Sequence, residues 1–307
     1  MLRLNLGRIV HGDCLTGING LNDNNVHRGH IGPLGGRREI EGRHSVALQR
    51  QEPVNMPEGR GYFAKGAGAA PSIGYVLWFD GAAPDRRKLA DLLALAGFDA
   101  DSVSGNDSDM VVSVDGHRLL VSKASDGDWP GCDRPQSHFD IRPDLLEKGE
   151  TVKIALVDDP GRGWTLESVL TASRLALAMA ADEGFFAAGW VPASAAMSAD
   201  YFVKVITGWL GGGAFPALGL VGMTADAGGT LVSTGLSLFC GQELTIPASS
   251  DLSGLDRARV AIRFINYLVV NGPVEHEDTI EIEGYGGFEI APFANGSKIN
   301  LKRTPIF

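Results

Sequence analysis

An α+β fold, with mixed or antiparallel sheets carrying helices packed on one face, is what this sequence predicts, and three observations predict it. From residue 73 onward, short apolar runs bounded by Gly, Asp and Asn alternate with longer segments whose apolar residues recur at three and four. Asp115-Gly116 between two alternating runs is a hairpin signal, which asks for antiparallel neighbours. The chain has 307 residues, 44% of them hydrophobic, enough for one large core or two smaller ones.

The elements follow in order. Residues 75–79, Tyr-Val-Leu-Trp-Phe, read as a short buried strand ended by Asp80-Gly81. Pro84 suits a first helical position, and Leu89, Leu92, Leu93 and Ala96 recur at helical spacing until Gly97. Residues 99–109 form an acidic loop. It lacks the Gly and terminal Glu of a calcium loop, so solvated acids are the better reading. Residues 110–114 and 117–121 are the hairpin strands, and 137–141 a short strand. Residues 151–157 form another, followed by a helix that Thr165 caps and Glu167 opens. That helix is apolar on nearly all sides and therefore central. Residues 185–191 are a strand, and Ser198 caps a helix that buries Tyr201, Phe202, Val205, Ile206, Trp209 and Leu210 and stops at Gly211-Gly212-Gly213. Residues 217–223 read as a strand. A last helix over 255–270 is halted by Gly272-Pro273, and a hairpin over 278–290 and a strand at 299–301 close the chain. The pattern suggests two related β-α-β-type modules, 72–145 and 146–307, in one α+β domain from 72 to 307.

Residues 231–246 organise the C-terminal half. Gly235 and Gly241 bracket Leu236, Leu238 and Phe239, which suggests a bent, tightly packed segment, and Glu243 to Ile246 alternate like a half-buried strand. This run, Thr-Gly-Leu-Ser-Leu-Phe-Cys-Gly-Gln-Glu-Leu-Thr-Ile, resembles the C-terminal signature of a bacterial family, domain of unknown function 4261 (DUF4261). Cys240 stands here between the Phe239 and Gly241 of a Phe-Gly-x-x-Glu-like element. Gly189-Trp190-Val191-Pro192-Ala193-Ser194 resembles that family's middle segment, so the likeness spans roughly residues 73–293. It marks Gly189, Trp190, Gly235, Phe239, Gly241 and Glu243 as family-type structural positions. What it implies about function is a protein-interaction role in bacterial settings such as secretion or toxin systems, with no catalytic residue carried over.

Charge divides the chain differently. Residues 1–70 carry 9 Lys/Arg against 6 Asp/Glu, and the remainder 18 against 31, within a total of −10. An acidic body argues against nucleic-acid phosphates as partners. Residues 1–71, rich in Gly, His, Asn and Arg, read as a flexible or loosely packed leader. Within it His11-x-x-Cys14 and His27-x-x-His30 have the spacing of a zinc site, yet Asn22 to Asn25 between them are turn formers that would not position ligands, which favours solvated histidines. Three cysteines far apart argue for a reducing compartment, hence the cytoplasm, and no apolar run is long enough to span a membrane.

The chain has no Gly-x-Ser-x-Gly elbow, no His-Glu-x-x-His, no strand-linked Gly-x-Gly-x-x-Gly and no Cys-x-x-Cys. Ser137, His138 and Asp140 lie too close along one strand for a nucleophilic triad, which assembles from separate elements. Arg259 and Arg263, one turn apart, suit either an acidic partner or local ion pairs. The expectation is a cytoplasmic adaptor-type protein with a protein partner and no cofactor. The alternatives are a metal- or small-ligand-binding protein, with zinc as the candidate metal, and a hydrolase with a site near His138.

Overall fold

The computed structural model describes residues 2–3, 73–99, 102–125, 127–129, 134–157, 164–249 and 251–304. In chain order its elements are β1 (Leu2–Arg3), β2 (Ile73–Phe79), α1 (Arg86–Leu95), β3 (Val103–Gly105), β4 (Asp109–Val114), β5 (His117–Lys123), β6 (Ser137–Phe139), β7 (Glu150–Leu156), α2 (Leu166–Met179), β8 (Phe185–Trp190), β9 (Ala195–Ser198) and α3 (Ala199–Leu210). There follow α4 (Ala217–Leu220), β10 (Gly222–Ala225), β11 (Leu231–Thr234), α5 (Ser237–Cys240), β12 (Glu243–Ile246), α6 (Gly254–Asn271), β13 (Asp278–Ile282), β14 (Gly286–Phe293) and β15 (Lys298–Arg303). The fold is α+β. None of the described helices is long and apolar enough to cross a membrane.

Eight strands form one sheet in the order β3-β4-β5-β7-β2-β8-β9-β6, and seven form a second in the order β1-β13-β14-β15-β12-β11-β10. Both are mixed, since β6 with β9, β12 with β15 and β1 with β13 run parallel while their neighbours run antiparallel. In the first sheet β7 and β8 are each antiparallel to β2, which lies between them. They are therefore parallel to one another, and α2 is the crossover that parallel strands require.

β2 has two buried faces. Tyr75, Leu77 and Phe79 join the large core with Leu89 and Leu93 of α1, Val169 and Leu175 of α2 and Phe202 of α3. Val76 and Trp78 point the other way, into a smaller cluster with Trp129, Ala187, Val191 and Ala196. A strand covered on both faces loses the polar alternation, which is why 75–79 is an unbroken apolar run. The helices α1, α2 and α3 thus cover one face of this sheet. Ala124, Trp129, Ile141 and Leu146 pack on the other.

Helix starts follow their caps. Thr165 and Ser168 form a reciprocal capping box, Ser198 accepts from Tyr201 N–H, and Ser253 accepts from Asp256 N–H. At α1 the cap is Asp85, whose carboxylate accepts from Lys88 N–H, and Pro84 stands just outside the helix. The Asp115-Gly116 turn has φ of 49° and 77°, the left-handed pair a two-residue hairpin requires. Residues 217–223 divide into α4 and β10 where a strand was expected, because Leu220 and Val221 donate back to Pro216 and Ala217. The bent segment between Gly235 and Gly241 is the helical turn α5.

The first sheet draws its strands from residues 73–198 and the second, β1 aside, from 222–303. The expected hand-over at 145/146 lies inside the first sheet, where β7 sits between β5 and β2. One core joins both sheets, running from Val112 and Ile154 through Phe215 and Phe239 to Leu244, Ile282 and Leu301.

Candidate functional site

The face of the first sheet opposite α1, α2 and α3 holds a cleft. Its floor is set by Gly189, which stands opposite Val76 in the β2–β8 register. A Cβ at that glycine would lie 2.7 Å from Trp129 and 3.0 Å from Trp78, so only glycine leaves room for both indoles. The two rings stack with centroids 6.1 Å apart and 23° between planes, and Trp78 Nε1 donates to Leu146 O at 3.1 Å. Trp129 is positioned by its neighbour Asp128, whose carboxylate accepts from Ser125 N and Oγ at 2.7 and 3.1 Å. Lys153, opposite Val76 on β7, donates to the same carboxylate at 3.1 and 3.2 Å. Lys153 and Asp128 are 20% and 10% exposed, so this pair anchors the loop rather than decorating the surface.

Over this floor the cleft encloses about 580 Å³. Val76, Trp78 and Thr151 of the sheet line it, with Ala124, Ser125 and Trp129 of one loop, Arg134, Pro135 and His138 around β6, and Pro143, Leu146, Glu147 and Gly149 of the segment before β7. At its wall Arg134 Nη1 and Glu147 Oε1 pair at 3.0 Å, with both side chains about two-thirds exposed, at 67% and 65%.

His138 stands out electrostatically. Its Nε2 is buried and has no hydrogen-bond partner among the described residues. Burial, and secondarily the Arg134 guanidinium, push the imidazole below its usual value, so it is neutral at neutral pH. The strand that carries it is tied down on both sides. Ser137 Oγ accepts from Met223 N–H at 3.2 Å and lies 3.4 Å from Met223 O, and His138 is registered against Ala196 of β9. Asp140 and Ser194, which flank β6 and β9, hold φ of 53° and 49°, a conformation that side chains other than glycine's resist. Asp140 Oδ2 accepts from Ser198 Oγ at 2.8 Å.

Ser137, His138 and Asp140 therefore do not converge: the hydroxyl is spent on Met223 and the carboxylate on Ser198. The zinc candidates His11, Cys14, His27 and His30 lie outside the described residues, and no group of three His, Cys, Asp or Glu among the described residues has the placement of a metal site. Arg259 pairs with Asp256 at 3.4 Å, whereas Arg263 donates to Glu283 O and stacks over Tyr285 with its guanidinium carbon 5.1 Å from the ring centre. The two arginines thus serve separate local contacts. In the acidic loop, Asn106 Oδ1 accepts from Ser108 and Asp109 N–H and from Ser108 Oγ, and Asp107 accepts from Arg86 N–H.

The positions that the resemblance picks out make the following local contacts. Glu243 accepts from the N–H groups of Gly235, Leu236 and Ser237 at 2.9, 3.3 and 3.0 Å and from the hydroxyls of Ser233 and Ser237. Gly235 has φ of 84°, and a Cβ there would lie 2.8 Å from Pro192 O. Gly241 closes α5 in the same left-handed region. Phe239 meets Phe215 edge-on at 4.7 Å, and Trp190 packs between Tyr75 and Trp164 at 4.8 and 5.5 Å. Cys240 is buried, and that burial pushes its thiol up to about 12, outside the range of a reactive nucleophile.

Sequence reasoning reached His138 but not Trp78, Trp129, Arg134 or Glu147 as its neighbours. The available signal was a tryptophan inside a polar, proline-rich loop at 125–135, an apolar residue with no local period to bury it. No family model matches the chain, and no curated protein or solved structure matches it either.

Proposed function

We propose that this protein binds a small ligand, without transforming it, in the cleft between Trp78, Trp129, Arg134, His138 and Glu147. One observation carries the reading: His138 lines the cleft, and its buried Nε2 has no partner among the described residues. Buried polar atoms are nearly always hydrogen-bonded, so an orphan in a residue that lines an open volume supports a ligand atom as its missing partner. A hydrolytic site gains no support, because neither Ser137 nor Asp140 is available to His138. An adaptor-type role, which the resemblance implies, asks for a contiguous exposed apolar face. The large exposed apolar residues among those described are Leu95 on α1, Leu255 and Val270 near opposite ends of α6, and Phe293 on β14.

The test is ligand-observed NMR with a fragment library on the full chain and on His138→Leu. Fragments that bind the native protein should bind the variant about tenfold more weakly, the worth of one hydrogen bond left unmade. The variant's thermal midpoint should hold or rise, since leucine removes an unsatisfied buried nitrogen. Hits indifferent to the substitution, or no hits at all, overturn the reading.

A further inference from the structure

Resting on that reading, we infer that the cleft takes a zwitterion, a free α-amino acid with an apolar side chain, whose carboxylate meets Arg134 and whose ammonium meets Glu147 and His138. Arg134 and Glu147 sit 3.0 Å apart, and each is about two-thirds exposed, so both charges remain hydrated and hold one another weakly. A ligand with its own two charges close together lies antiparallel to this pair. Each protein charge then gains a second partner, neither loses its first, and the net charge of the site is unchanged.

A plain anion gains Arg134 and meets Glu147. A plain cation gains Glu147 and meets Arg134. The pair thus discriminates against either as much as it attracts it. An ammonium brings three N–H donors, one for Glu147 and one for the unpartnered Nε2 of His138, which accepts in the neutral tautomer that carries its proton on Nδ1. Below the pair, Val76, Trp78 and Leu146 give the side chain an apolar floor, and about 580 Å³ falls within the range of small-molecule sites.

Isothermal titration of the full chain with L-phenylalanine, N-acetyl-L-phenylalanine and L-phenylalaninamide tests this, followed by the remaining standard amino acids. The expected result is that an apolar free amino acid binds, with each blocked derivative at least about tenfold weaker. Arg134→Gln should abolish the preference over the amide and Glu147→Gln that over the acetyl derivative, both at exposed positions and both leaving the circular dichroism spectrum unchanged. Glu147→Gln should raise the relative affinity for the acetyl derivative, and Arg134→Gln that for the amide. Equal binding of free and blocked forms overturns the zwitterion. If no amino acid binds while fragments still do so in a His138-dependent way, the zwitterion falls and the cleft stands. If neither binds, both fall.

Discussion

A single imidazole sets the pH range over which the cleft can work. His138 is held below its usual 6.5 by burial first and by Arg134 second. Among the described residues, the charged groups that line the cleft beside it are Arg134 and Glu147, with Asp128 and Lys153 paired to each other at the floor. Because the folded state binds the proton less readily than the unfolded chain, the unfolded chain protonates first as pH falls. The desolvated imidazole therefore costs the folded state nothing through its titration above about 6.5, and it destabilises the fold progressively as pH drops from there through the lower, folded value. Urea unfolding of the native protein and of His138→Leu, compared between about pH 7 and about pH 5, should show the native protein losing more stability than the variant. Parallel pH dependences would mean that the imidazole is not desolvated in the folded state. Ligand affinity should fall in the same window, since a protonated Nε2 no longer accepts.

At the scale of elements, the turn α5 is held by one carboxylate. Three consecutive N–H groups, from Gly235 to Ser237, and two hydroxyls converge on Glu243, so the chain reverses between β11 and β12 around a charge. Glu243→Gln keeps the volume but replaces one acceptor oxygen with a donor that faces donors. A loss of about 2 kcal/mol is expected in urea unfolding. The same change at exposed Glu289 on β14 should fall within about 0.5 kcal/mol of native. This device also shows what the sequence makes legible. Caps at Thr165, Ser198 and Ser253, the Asp115-Gly116 turn and the alternation of 243–246 are local, so each is readable where it stands. β9 is not, because Ala195, Ala196 and Met197 are all buried and small residues carry no strand period. Nor is α4, which Pro216 starts in a run with no cap of its own. The cleft was the least readable part. Trp78 and Trp129 meet only because Gly189, far away in sequence, has no side chain, and the solitude of His138 Nε2 is a property of its surroundings rather than of residue 138.

For the whole molecule the question is what makes two sheets unfold as one. They share a core, and they also touch at their edges, where β6 of the first meets β10 of the second. There the Ser137 hydroxyl takes the place of a ladder partner, engaging both N–H and C=O of Met223. Beside it Gly222 approaches so closely that a Cβ would lie 2.2 Å from Ala193 O. If the shared core dominates, Ser137→Ala should lower stability by about 1–2 kcal/mol, the worth of an N–H and a C=O left poorly satisfied, and the transition should stay single. Amide exchange at Met223 should quicken in that variant. If the edge contact is instead what couples the sheets, the same substitution should split the urea transition seen by circular dichroism and by tryptophan fluorescence. The five tryptophans are at 78, 129, 164, 190 and 209, none of them on a strand of the second sheet, so fluorescence follows the first sheet and the region packed on it. Coincident transitions by the two probes would place the cooperativity in the core that runs from Ile154 to Leu301. They would also leave His138, one residue from the altered hydroxyl, anchored by its pairing with β9.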